Sequence, residues 1–442
     1  MPSGPDDLHS EERMALWRRA RHAEVCGSHV SEETGERLPP DVLEGPGFLY
    51  RPRQILLETG IMQTQPVETE LQKHGGHLDT ELTNRFAEAG LPIKAYLMPP
   101  EVYLPGLVAQ LRERPYSEWG APAANVSVNH VFCGEPGSYT GGPDGPPTSA
   151  PPFTETDYGQ PAEGAPEIAV LDTGYDMQIQ TLPHPGLLPR VVYQPGPGSP
   201  ENPLTPSGYL AQEAGHGTFI DGIIMQLAPP VSIRQVQLLN PAGVTDDGCL
   251  ALAISALGNS VPVINASLGG YTQGDVAPLA SSAAIAALPD IVVVVAAAGN
   301  NSSPEPFWPA ALKSNSVVSV GALDTTRSAP QVAGFSNYGT WVDVYAPGVD
   351  VYSTYLQDNW LLPNDTPPPQ PMDGWATWSG TSFAAPQVAA AIANTLLGSG
   401  GTARQAAHTV LSQAQWLPVT GLPGITGVMT HIPPGPGVIY PA

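Results

Sequence analysis

Three cysteines in 442 residues, Cys26, Cys133 and Cys249, are too few and too widely spaced for a disulfide framework or a zinc site. Charged residues are scarce at 13%, and basic ones scarcer still, 17 against 41 acidic. A formal net charge of -24 argues against nucleic acid or an anionic membrane as partner. Long apolar runs are missing too. The strongest, Ala283 to Ala298, is broken by Pro289 and Asp290 and is too short to span a bilayer. The first thirty residues lack an apolar signal core, so the expectation is a protein made and kept in the cytoplasm. What is abundant is proline (52) and glycine (47), a loop-rich composition short of low complexity, with 41% hydrophobic residues to supply a core.

Charge and pattern divide the chain. Residues 1–150 hold 21 acidic and 12 basic residues; residues 151–442 hold 20 acidic and only five basic ones. The acidic second part could attract cationic peptides, and a plain excess of surface carboxylate explains it equally well. Residues 1–48 form a polar segment with one helical candidate, Glu11 to Ala23. Residues 49–133 read as a small α+β unit. Its strands are Gln54 to Glu58, Ile93 to Leu97 and Val126 to Phe132; its helices are Asp79 to Ala89 and the stretch after Pro105. Residues 134–166, with eight prolines and seven glycines, read as an extended linker. Residues 167–442 alternate apolar strands (Glu167 to Asp172, Ser232 to Leu239, Val261 to Asn265, Ile291 to Ala296, Ser316 to Val320) with helices such as Cys249 to Leu257 and Ala280 to Ala287. That pattern predicts a mainly parallel sheet covered on both faces, an α/β fold preceded by a small α+β domain.

Chemistry concentrates in the second part. Asp172 ends an apolar strand, His216 opens the apolar run after Gly215, and Ser382 opens another within Gly380-Thr-Ser-Phe-Ala-Ala-Pro386. Strand ends and helix starts are where α/β sheets gather functional groups. A serine hydroxyl must lose a proton to attack, an imidazole can take it, and a carboxylate fixes the imidazole tautomer. Asn300, after Ala297-Ala-Gly299, could donate to an oxyanion together with the Ser382 backbone N–H. Ser267-Leu268-Gly269-Gly270 is a small-residue edge to which a peptide could add as a strand.

With these motifs in hand, the chain resembles the subtilisin-like serine proteases, whose residues follow the order Asp, His, Ser. Asp172-Thr-Gly, His216-Gly-Thr, Ser267-Leu-Gly-Gly, Ala297-Ala-Gly-Asn300, Trp308-Pro-Ala, Val317 to Ala322, Phe335-Ser-Asn, Ala346-Pro-Gly and Gly380 to Pro386 run in family order from about residue 167. The resemblance implies a three-layer subtilisin-like fold and serine endopeptidase activity on peptide or protein substrates, through an acyl-enzyme. It makes Asp172 the orienting acid, His216 the base, Ser382 the nucleophile and Asn300 an oxyanion donor. Ser267, Leu268, Gly269 and Gly270 on one side, and Ala297, Ala298 and Gly299 on the other, would line the primary specificity pocket. Phe307 would stand at its floor and favour small residues at the cleavage position. No cofactor is required, and structural calcium, common in the family, is possible in acidic loops. The small N-terminal unit is either prodomain-like, blocking the cleft with its last segment, or an unrelated docking domain. A catalytically silent or latent, partner-activated peptide-binding module is the rival to a constitutive enzyme.

Some residues depart from the family pattern. Phe219 and Gln387 stand where histidines are common, and Phe383 where methionine is; altered packing between the two helices is the expectation. Asp221 reads as a solvated helix position, Asp246-Asp247-Gly248 as a turn, and His184, His408 and His431 as surface or satisfied histidines.

Overall fold

Strand alternation decides how this chain folds. A computed structural model describes residues 25–26, 40–60, 64–113, 125–134, 146–151, 161–174, 190–195, 208–211, 213–240, 242–360, 370–419, 422–425 and 427–431. The helical candidate at Glu11 to Ala23 lies outside them, as does His184.

The first unit comprises β1 (Leu43–Gly45), β2 (Phe48–Glu58), α1 (Thr64–Lys73), β3 (His77–Leu78), α2 (Thr80–Glu88), β4 (Ile93–Leu97), α3 (Leu104–Glu113) and β5 (Val126–Cys133). Asp79 starts α2 by accepting from the Leu82 amide at 3.0 Å. One face of β2 (Ile55, Leu57) packs on Val67 and Leu71 of α1 and on Val108 and Leu111 of α3. The alternate residue Leu56, with Ile93 and Ala95 of β4 and Phe86 of α2, faces the second part of the chain.

Beyond it come β6 (Thr148–Ser149), β7 (Glu167–Asp172), β8 (Val191–Pro195), α4 (His216–Leu227), β9 (Ser232–Gln237), β10 (Val244–Asp246) and α5 (Asp247–Leu257). Next are β11 (Val263–Ala266), α6 (Leu279–Ala286), β12 (Val293–Ala297), β13 (Val317–Asp324), β14 (Gln331–Val332), β15 (Val344–Pro347), β16 (Val351–Trp360) and β17 (Gln370–Trp378). The chain closes with α7 (Thr381–Ser399), α8 (Ala403–Ser412), β18 (Gln415–Pro418) and β19 (Gly427–Thr430). The main sheet has the order β18-β19-β15-β13-β12-β11-β7-β9-β8, and every pairing from β19 to β8 is parallel. Alternate residues feed two cores. Ile168, Val170, Val263, Val293 and Val295 pack under α4, α7 and α8, while Ala169, Leu171, Ile264, Val294 and Ala296 pack under α5 and α6. Each buried valine, leucine or isoleucine among them contributes about 1.5–3 kcal/mol. The layers are therefore helix, sheet, helix, with the N-terminal unit against the α5–α6 face.

Three features were not foreseen. β10 leaves the main sheet and pairs antiparallel with β5, Val244 opposite Cys133 and Asp246 opposite Val131, so the small sheet takes its last strand from the second part. The β16–β17 hairpin covers the start of α4: Ser353 Oγ donates to Phe219 O at 2.6 Å and Thr354 Oγ1 to Thr218 O at 2.8 Å. Within residues 134–166, Thr148–Ser149 adds to β17 and the Ala162 amide donates to Pro230 O, so described pieces of that stretch are tied down.

Asp246-Asp247-Gly248 is not a turn. Asp246 ends β10 and caps α5, accepting from the Cys249 amide at 2.9 Å; Asp247 caps α6, accepting from the Ala280 and Ser281 amides at 2.8 Å each. Orphan amides at two neighbouring helix starts need acceptors, and the two carboxylates supply them. Asp246 also accepts from Arg51 Nε of β2 at 2.9 Å. Close by, Asn129 Oδ1 accepts from the Gly248 amide at 3.1 Å, and His130 Nε2 accepts from the Gln273 amide at 3.0 Å. The N-terminal unit is docked by these bonds and by the Leu56–Phe86 face.

Candidate active site

Strand β7 delivers Asp172 at its carboxyl end, and α4 begins with His216. Both side chains are fully buried, and His216 Nδ1 lies 2.8 and 3.0 Å from the two Asp172 oxygens. A carboxylate accepts there, so Nδ1 carries the proton and Nε2 is left basic. Asp172 Oδ1 is further held by the Thr173 amide at 2.7 Å.

Ser382 is the second residue of α7. Pro386 sits four residues on and has no N–H, so the helix cannot satisfy Ser382 O. Ser267 Oγ does so instead, at 2.7 Å, and itself accepts from Asn265 Nδ2 at 2.9 Å. Asn300 Oδ1 accepts from Thr381 N at 2.9 Å and Thr381 Oγ1 at 2.8 Å, which orients the amide beside the start of α7. Thr381 Oγ1 in turn accepts from the Gly299 amide at 3.0 Å.

Between these groups runs the end of β5. Cys133 N donates to Gly269 O and Gly269 N to Cys133 O, both at 2.9 Å, and the Gly134 amide donates to Gly243 O at 2.9 Å. The Ser267 to Gly270 edge thus accepts an added strand, here from the same chain. Ser382 Oγ donates to Gly134 O at 3.1 Å, and a Cβ built on Gly134 would lie 3.6 Å from His216 Nδ1. Ser382 and His216 therefore flank the same backbone position. Of the anticipated pocket residues, Leu268 and Ala298 belong to the core under α5 and α6 and Ala297 to the opposite core, so these three offer backbone. Gly269, Gly299 and Phe307 come together, with the Phe307 ring against both glycines.

The departures have physical counterparts. The Phe219 and Phe383 rings meet at 4.6 Å, tilted by 55°, between α4 and α7, with Trp378 and the His216 ring completing an aromatic cluster. Gln387 Nε2 donates to Pro347 O at 2.6 Å and Phe383 O at 3.0 Å. Asp221 is not solvated. It is 1% exposed, and Gln235 Nε2 donates to both of its oxygens at 3.3 Å. Burial, and then the charge of Asp172, push its carboxyl well above the usual range. His408 is exposed on α8, and His431 follows β19, which has four strands between it and β7 in the sheet order. Sequence reading missed Gly243, whose carbonyl accepts from the Gly134 amide, and Gln235; the acidic pair Asp246-Asp247 nearby was the signal available for the former. Among the described residues no group of three or more His, Cys, Asp or Glu side chains could hold a metal ion, so the calcium implied by the resemblance finds no carboxylate cluster there.

Comparison with known proteins now decides the family. The model of the Subtilase family matches residues 164–428. The chain belongs to the subtilase family. It is 34% identical to the thermophilic serine proteinase of Bacillus sp. (strain AK1), over 67% of this chain and 66% of that protein. It is 31% identical to the intracellular serine protease of Paenibacillus polymyxa, over 51% of this chain and 65% of that protein. The chain thus spans just under two thirds of the length of these relatives. Among solved structures it is similar to fervidolysin from Fervidobacterium pennivorans, a keratinolytic enzyme related to subtilisin. The TM-score is 0.56 at 20% identity, covering 88% of this chain and 61% of that one, a likeness of fold. Among the described residues no helix is long and apolar enough to cross a membrane.

Proposed function

We propose that this subtilase is a serine endopeptidase that hydrolyses peptide bonds with Asp172, His216 and Ser382, and that its N-terminal unit restrains it. The buried 2.8 Å contact of His216 Nδ1 with Asp172 carries the reading, because it leaves Nε2 to take the Ser382 proton. Ser382 Oγ attacks the carbonyl carbon, and the oxyanion is met by Asn300 and the Ser382 backbone N–H. His216 then gives its proton to the leaving amine, and water, deprotonated by the same imidazole, releases the acyl group.

A latent state is favoured by one observation. Gly134 O accepts from Ser382 Oγ while the Asp172–His216 pair stays intact. In that state the tail of β5 occupies the substrate edge, and activity follows its departure. A cytoplasmic setting belongs to the same proposal, supported by the intracellular relative from Paenibacillus polymyxa. The test is intact mass after treatment with a fluorophosphonate. A single adduct on the wild-type chain and none on Ser382→Ala is the expected result; equal labelling of both would remove Ser382 as the nucleophile.

A further inference from the structure

We propose that Phe307 closes the slot that receives the side chain at the reacting carbonyl, so that this chain cuts after glycine, alanine or serine and rejects large side chains there. This rests on the assignment of Ser382 as nucleophile. The path of a substrate is drawn by Cys133 and Gly134, which lie antiparallel on Gly269 and reach Ser382 Oγ. For a peptide laid on that edge and reacting at Ser382, we place the side chain in question between residues 267–270 and residues 297–300. The strands before those segments, β11 and β12, are neighbours in the sheet.

The Phe307 ring lies in that space. A methyl group on Gly269 would collide with it, and one on Gly299 would stand 2.9 Å from its Cγ, so the ring touches both walls. It is held from behind. Trp308 N donates to Gly270 O and Gly270 N to Trp308 O, both at 2.9 Å, which fixes the backbone beside the ring. The Tyr271 ring meets Phe307 edge-on at 5.3 Å. Tyr271 OH accepts from Asn337 Nδ2 at 3.0 Å, and the same Nδ2 donates to Ala298 O at 2.8 Å. Asn337 Oδ1 accepts from the Asn301 and Ser303 amides at 3.0 Å each. One amide thus ties Tyr271 to the wall of the slot. A ring 1% exposed and braced in this way stays in place when substrate arrives. A hydrogen or methyl group fits beside it; a benzyl group needs the same volume.

The experiment uses the full chain and two peptides that differ only in Ala or Phe on the acyl side of the scissile bond. The expected kcat/KM favours Ala by about 100-fold or more, since pocket shape discriminates on that scale for far smaller differences. Phe307→Ala should raise kcat/KM for the Phe peptide by about tenfold or more, and Phe307→Leu, which keeps most of the buried volume, by a smaller factor. A wild-type chain that prefers Phe, or a ratio unmoved in both variants, overturns the proposal. Should neither peptide be cut, fluorophosphonate labelling separates the cases. No adduct at Ser382 even when labelling is run to completion overturns the nucleophile assignment and the slot with it; an adduct without cleavage of either peptide overturns the slot alone.

Discussion

Two regions meet at Gly134 and are held by different forces. On the sheet side, Asp172 and His216 are fully buried, and Ser382, Asn300, Thr381 and Ser267 are linked by bonds of 2.7–3.0 Å within the second part of the chain. On the other side, the N-terminal unit is docked through the antiparallel β5–β10 pairing, an Arg51–Asp246 pair whose arginine is 22% exposed, Asn129 and His130 on backbone amides, the Arg112 and Gln273 side chains on backbone carbonyls, and one apolar face. The difference teaches how such a chain can be regulated. If the N-terminal unit restrains the site as proposed, its release breaks bonds between the two parts, while the bonds within the second part keep the site assembled.

Substitutions break or sharpen that contrast. Ser382→Ala should remove about 10⁶-fold of turnover, the size of the same loss in subtilisin, with circular dichroism unchanged. Asn300→Ala should cost about 100- to 1,000-fold in kcat, again the subtilisin range, with KM little altered; a wild-type kcat would take Asn300 out of the oxyanion site. Ser267→Ala leaves the Ser382 carbonyl and the Asn265 amide without their partner, and urea unfolding should show a loss of about 1–3 kcal/mol. Asp221→Asn tests the buried carboxyl. Its folded pKa is raised, so folded Asp221 favours the proton; the stability it supports is present at low pH and is lost as pH rises toward that pKa. The Asn variant should therefore melt higher than wild type at pH 8 and lose that advantage at pH 4. Arg51→Ala is the mildest change. A partly exposed ion pair contributes about 0–1 kcal/mol, so Ser382 labelling should speed up by no more than a few-fold.

Much of this arrangement was legible in the residues. Apolar runs ending in Asp172, Asn265 and Ala296 identify buried parallel strands, because only a sheet covered on both faces is apolar at every position. Asp172, His216, Asn300 and Ser382 are local signals, each placed by a strand end or a helix start. The illegible parts are pairings between distant segments. Nothing in Val244-Thr-Asp246 announces that three residues leave one sheet for another, or that Cys133 will meet Gly269. Asp221 looked solvated because a carboxylate on a helix normally is; Gln235, on a strand that alternates only weakly, is what lets it be buried. The resemblance placed Phe307 at the pocket floor; that Gly269 and Gly299, without side chains, make room for its ring is another pairing between distant segments.

The central claim is that a complete site lies beneath a tail that can leave. Its most direct test is the rate at which a fluorophosphonate labels Ser382 in the full-length chain, wild type against Gly134→Trp. A Cβ at Gly134 would already stand 3.0 Å from Leu239 Cδ1 and 3.6 Å from His216 Nδ1, so an indole there crowds the tail against the cleft. The expected result is slow labelling of wild type and labelling faster by about tenfold or more in the variant, a gain of about 1.4 kcal/mol in access. Equal rates would contradict the claim, since the tail would then not be what covers Ser382.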